Sequence, residues 1–202
     1  MKKTLLKKLT VGLLLAVSAF SLAGCNSNEK SKESKTTKKE ELKVSKTDFE
    51  TQTISLDKVT FELPKEWSKF DIPNAPSGYI SYAPANADIN VGSSSVNINV
   101  SKQKQKITIK DLNASRSDFE KQYKASIKEA KDFKFSDFKA PSGDVFAIQY
   151  NYTINGVYGT VSQYMVLLDG YAATITATDI NDGSTPSPHD VARYMANTVK
   201  LK

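Results

Sequence analysis

The sequence predicts an α+β domain: an antiparallel sheet meander packed with helices. Three observations predict it. The dipeptides Asn155-Gly156 and Asp169-Gly170 separate long runs rich in β-branched and aromatic residues, which reads as consecutive hairpins. The stretch from Ile109 to Ala130 repeats apolar residues at helical spacing. Ser187-Pro188-His189-Asp190 then supplies a cap, an N1 proline and an early acid for a second helix.

The first 24 residues stand apart from that domain. Lys2, Lys3, Lys7 and Lys8 form a positive start, and Leu9 to Leu22 is apolar. That segment is too short to cross a bilayer, which needs about 20 apolar residues. Small residues Ala23 and Gly24 precede Cys25, the single cysteine of the 202 residues. Leu22-Ala23-Gly24-Cys25 resembles the lipobox of bacterial lipoproteins. The resemblance implies that residues 1–24 are a signal peptide and that Cys25 carries a diacylglyceryl (palmitate-type) anchor. It places the chain on the outer face of the bacterial cell membrane. Two acyl chains matter, because one alone binds a membrane only marginally.

Residues 26–48 contain no aromatic residue and, apart from Leu42 and Val44, no large aliphatic one. Such a composition buries too little apolar surface to offset its ordering entropy. The expectation is a disordered tether over 25–48, spanning roughly 25–30 Å on average. A single domain then occupies 49–202.

The formal charge of +6 does not belong to the domain. Four of the 28 basic residues lie in the signal segment and seven in the tether, leaving 17 basic and 17 acidic residues from Phe49 onward. A neutral domain lacks the electrostatic footprint of a phosphate backbone, so no nucleic-acid partner is expected.

Within the domain, Thr53–Leu56 and Val59–Leu63 read as two short strands around Asp57-Lys58. Gly78–Ala83 is another, and Pro64, Pro73, Pro76 and Pro84 exclude a helix between them. Ser95–Ser101 alternates, with Val96, Ile98 and Val100 on one side and Asn97 and Asn99 on the other. Thr108 and Asp111 open the long helix. Leu112, Phe119, Tyr123, Ile127 and Ala130 form its inner face; Glu120, Lys121, Lys124 and Lys128 form the outer one. Strands follow at about 131–139, 145–154, 157–168 and 171–179. The last helix presents Val191, Tyr194, Met195 and Thr198 inward.

The Asn155-Gly156 turn sets a register. Ile154 meets Val157, Tyr152 meets Gly159, Tyr150 meets Val161, Ile148 meets Gln163 and Phe146 meets Met165. These pairs make an apolar face, opposite Thr153/Tyr158, Asn151/Thr160, Gln149/Ser162 and Ala147/Tyr164. At Asp169-Gly170, a two-residue turn would put Thr174 and Thr176 beside Met165 and Gln163. A three-residue loop with a glycine bulge keeps Ala173 and Ile175 there instead, so face consistency favours the bulge. The result is one apolar face and one face of hydroxyls and amides. That second face is either a solvated sheet surface or a partner surface formed by Gln149, Tyr158, Tyr164, Thr174 and Thr176, where tyrosines bring contact area.

Phe61-Glu62-Leu63-Pro64-Lys65-Glu66-Trp67 resembles the strand-Pro-x-x-Trp opening of PsbP/Mog1-like domains. The helix after an alternating strand, the meander and the C-terminal helix match the same pattern, from about Thr53 to Lys202. The resemblance implies an α/β/α sandwich, part of whose outer sheet face is covered. It also implies a mostly non-enzymatic role, without transferring any partner.

No catalytic residue is assigned. His189, the single histidine, sits in a helix's first turn and reads as solvent-exposed. No nucleophile motif accompanies it. Asp179-Ile180-Asn181-Asp182-Gly183 fails as a calcium loop, with glycine at the fifth position and no glutamate at the twelfth. Trp67 reads as a core anchor. Neither metal nor cofactor is expected. The chain reads as a membrane-anchored, non-catalytic binding or scaffolding module for another protein or envelope component. The alternative is a solute-binding receptor or enzyme using the hydroxyl-rich face.

Overall fold

The computed structural model describes residues 48–72, 78–87, 93–127, 129–154 and 156–202. The signal segment, Cys25 and the tether through residue 47 lie outside the described residues, as do Pro73, Pro76, Lys128 and Asn155. The strands are β1 (Thr51–Leu56), β2 (Val59–Pro64), β3 (Trp67–Phe70), β4 (Tyr79–Pro84) and β5 (Ser95–Lys102), then β6 (Lys131–Ala140), β7 (Gly143–Ile154), β8 (Val157–Leu167), β9 (Tyr171–Asp179) and β10 (Lys200–Leu201). The helices are α1 (Ile109–Ala114), α2 (Arg116–Ser126) and α3 (Pro188–Thr198).

Seven strands form one antiparallel sheet in the order β3-β4-β5-β9-β8-β7-β6. Three more form a small sheet, β1-β2-β10. The large sheet carries a core on each face. On one face Leu112 of α1 and Phe119 and Tyr123 of α2 pack over Phe146, Ile148, Tyr150, Val161 and Met165. On the other, Val191, Ala192, Met195 and Ala196 of α3 and Val59, Phe61 and Leu63 of the small sheet cover Val96, Ile98, Tyr164, Val166, Ala173 and Ile175. Trp67 belongs to this second core and is 2% exposed. The long edge strand β6 exposes Lys131, Lys134 and Lys139 and is irregular between Lys131 and Lys134. Lysines and a bulge on an open edge oppose pairing with another chain.

The β7–β8 register is the expected one over its whole length. Gly156 has φ +80°, as a two-residue hairpin turn demands. The β8–β9 register is not the expected one. Met165 faces Thr174, Gln163 faces Thr176, and Tyr164 faces Ile175. The turn has two residues, Asp169 and Gly170, closed by Leu168 N–H donating to Tyr171 O at 2.9 Å, with Gly170 at φ +70°. A glycine bulge would be favoured only by a sheet with one apolar and one polar face, and this sheet carries an apolar core on both. With a core on both sides, Ile175 and Ala173 bury against α3 and the small sheet, and face consistency no longer chooses a register.

The single long helix is two helices, broken at Ser115 (φ −102°, ψ 5°), whose hydroxyl donates back to Asp111 O at 2.9 Å. Helix α2 ends at Ser126, though Ile127 and Ala130 are still buried. In α3 the buried stripe is Val191, Ala192, Met195 and Ala196, with Tyr194 and Thr198 at its margin. Strands β3 and β10 were not expected, being only four and two residues long.

Candidate functional site

The five residues expected to make one surface do not share one. Gln149 and Tyr158 are exposed. Tyr164 is 5% exposed, edge-on to Phe138 at 6.2 Å in the core beneath α3. Burial raises its pKa. Thr174 and Thr176, moved by the register, point to the opposite face with Met165 and Gln163.

On that face the sheet divides into two halves. Over β6, β7 and much of β8 it is apolar and packed by α1 and α2. Over β4, β5 and β9 it is polar. Ser81, Asn97, Thr176 and Gln163 are successive cross-strand partners. All four are buried and none carries a formal charge. Tyr79, Asn99, Thr174 and Met165 form the neighbouring row.

The row is closed at its helix end. Tyr123 Oη donates to Gln163 Oε1 at 2.5 Å, and Gln163 Nε2 donates to Thr176 Oγ1 at 2.9 Å. Burial raises the Tyr123 pKa, more than the bond to Gln163 lowers it, so the phenol keeps its proton and acts as donor. At its β4 end the row is unsatisfied: Ser81 Oγ and Asn97 Oδ1 are buried and have no hydrogen-bond partner among the described residues. An unpaired buried polar group costs about 1–3 kcal/mol. A neutral hydrogen-bonding group that displaced what covers Ser81 and Asn97 would pair with them. It offers nothing to ionise a substrate or hold a charge.

Sequence reasoning found Thr174 and Thr176, and placed Asn97 opposite Val96 and Ile98. It missed Gln163 and Ser81. The available signal was Gln163 itself, an amide in a face read as apolar.

A second polar cluster lies where β5 begins and β9 ends. Ser94 N–H donates to Asp182 Oδ2 at 2.8 Å, and Ser94 Oγ donates to Asp179 Oδ1 at 3.3 Å. Asp179 and Asp182 also accept from Asn181 N–H and Ser184 N–H, so their carboxylates order the 179–184 turn. Burial opposes ionisation of Asp182, but hydrogen bonds from Ser184 and Ser94 outweigh it and lower its pKa. His189 is not the solvent-exposed residue expected. Its side chain is 28% exposed, and Nε2 lies 2.6 Å from Thr160 Oγ1. Packing of α3 across β8 and β9 brings it there. Burial lowers its pKa, partly offset by Asp179 and Asp190.

The geometry differs from a nucleophile–histidine–acid relay. Asp179 Oδ2 approaches Nε2, the nitrogen already facing Thr160, at 3.9 Å. Nδ1, where an orienting carboxylate would sit, is buried and has no partner among the described residues. Ser94 is fully buried and lies on the far side of Asp179. Among the described residues no group of three or more His, Cys, Asp or Glu side chains is placed to hold a metal ion. Among them, too, no helix is long and apolar enough to cross a membrane.

No protein-family model matches the chain, and no curated protein matches it. Solved structures do. Cyanobacterial PsbP (CyanoP) from Synechocystis sp. PCC 6803 is similar with a TM-score of 0.52 at 13% identity, over 75% of this chain and 92% of that one. LpqN, involved in cell envelope biogenesis of Mycobacterium tuberculosis, gives 0.46 at 17% identity, over 77% and 92%. A protein from Bacteroides thetaiotaomicron gives 0.49 at 12% identity, and the chain spans 45% of its length. The likeness to CyanoP shows the fold alone: this chain is an α+β domain of PsbP-like architecture.

Proposed function

We propose that this chain is a membrane-anchored extracytoplasmic binding module without catalytic activity. Cys25 carries the lipid, and the polar half of the sheet, from Ser81 to Gln163, takes an uncharged hydrogen-bonding group of a partner protein or envelope component. One observation carries the binding reading: Ser81 Oγ and Asn97 Oδ1 are buried, unpaired among the described residues and in line with a hydrogen-bonded row. A structural polar row would be expected to close on itself. The non-catalytic reading is supported by the His189 geometry and by a row that holds no titratable acid or base.

The anchor is tested by labelling growing cells with a fatty-acid analogue. The chain should take the label and Cys25→Ser should not; a labelled Cys25→Ser chain would refute the anchor. The binding row is tested by crosslinking in intact cells with Asn97→Ala. Partner capture should fall while the thermal midpoint holds or rises, because an orphaned group has been removed. Unchanged capture with a lower midpoint would make the row purely structural.

A further inference from the structure

The hairpin of β7 and β8 outruns both neighbours. Strand β6 pairs with β7 no further than Lys131 and Asn151, and β9 pairs with β8 no further than Asp179 and Thr160. Beyond them Tyr152–Ile154 and Val157–Gly159 continue as a two-stranded arm. From 152 to 159 the sequence has no charged residue. Val157 is 46% and Tyr158 44% exposed, two of the three exposed large hydrophobic residues among those described.

The arm projects from the end of the domain at which the chain enters it. That end is traced by contacts across the sheet. Thr160 pairs with Asp179, Thr178 with Ser95, and Trp67 with Pro84 at the same end of β3 and β4. Gln52 Nε2 donates to Trp67 O at 3.0 Å, and Lys65 N–H donates to Glu50 O at 2.9 Å. Phe49 packs edge-on to Tyr194 of α3, whose first turn holds His189 against Thr160.

From these placements we infer that Val157 and Tyr158 are a lipid contact, seating the domain tip-down on the bilayer that holds its anchor. The inference rests on the anchored reading. The tip extends roughly 13 Å past Thr160, four residues at about 3.3 Å each. The 23 residues from Asn26 to Asp48 have ample contour length to cover that gap. Tyrosine, with an apolar body and a polar tip, suits the headgroup boundary. Two side chains bind a bilayer weakly, but tethering makes the contact intramolecular, so weak is enough.

The test uses the chain as growing cells process it, reconstituted in vesicles of phosphatidylethanolamine and phosphatidylglycerol, part of the lipid being brominated on its acyl chains. Tyr158→Trp places a fluorophore at the tip; Tyr171→Trp places one at the opposite end of β9. Buried Trp67 is a background common to both. Bromolipid should quench most of the emission added at 158 and none of that added at 171. Adding Val157→Asp to Tyr158→Trp should abolish the quenching. A tip fluorophore that stays water-exposed, or equal quenching at both ends, overturns the contact. The fatty-acid label separates the two readings: a labelled chain with an unquenched tip refutes the contact alone. An unlabelled chain refutes the anchor and, because two side chains hold the bilayer only when tethered, overturns the contact with it.

Discussion

The ring of Tyr152 lies across Gly159, its cross-strand partner. A Cβ at 159 would stand 2.5 Å from Tyr152 Cζ, 2.6 Å from the hydroxyl and 2.7 Å from Cε1. Both residues are buried, so the ring supplies the packing that the glycine lacks. Gly159→Ala is expected to destabilise the domain by about 1–3 kcal/mol, the usual result of overpacking. In a Tyr152→Ala background the same change should become neutral or stabilising, since glycine weakens a strand. Denaturant midpoints of the four chains form the cycle; additive effects would mean that the ring does not occupy that space.

Tyr164→Ala truncates a core residue. The expected loss is about 3–5 kcal/mol. Gln149→Ala, one strand away and exposed, should stay within about 0.5 kcal/mol. Urea unfolding measures both, and a mild Tyr164→Ala would contradict its burial beneath α3.

Helix α2 makes the same contrast within one element. Phe119 is 1% exposed and Lys121 lies on the outer side. Phe119→Ala should cost about 3–5 kcal/mol and Lys121→Ala within about 0.5 kcal/mol. Equal costs would place the helix in the wrong phase.

His189 gives a pH signature. Burial holds its folded pKa below the ordinary value near 6.5, so the unfolded chain takes up the proton first as pH falls. Its contribution is therefore fully present above about pH 6.5 and is lost from there down to its folded pKa. Thermal midpoints from pH 8 to 5 should fall in that window, and His189→Asn should flatten the fall. Asp182 acts in a lower window, because its folded pKa is depressed: its contribution disappears as pH drops below the usual carboxylate range. With one histidine in the chain, an NMR titration reads the folded value directly.

What the sequence made legible was local. The Asn155-Gly156 register, the phase of Phe119 and Tyr123 and the caps of α1 and α3 depend on neighbours within a few residues, and they stand as read. The Asp169-Gly170 register depended on what lies above each face of the sheet. That information resides in β2 and α3, more than a hundred residues apart, and no local pattern carries it. The actual register puts Thr174 and Thr176 on the far side from Tyr164 and dissolves the expected surface. The row that replaced it, Ser81 to Gln163, crosses four strands, and only their pairing puts its members side by side.

Strand β10 is two residues long, yet it completes the small sheet by pairing Lys200 with Thr60 on β2 across 140 positions. One of the earliest strands of the domain therefore waits for residues 200 and 201 before its free edge is covered. Contacts so distant in sequence require a large loop to close before they give anything back, which slows folding. During synthesis the meander β6–β9 can assemble while β2 is still unpaired on that side. The chain has a built-in order of events, and the closing step belongs to residues 200 and 201.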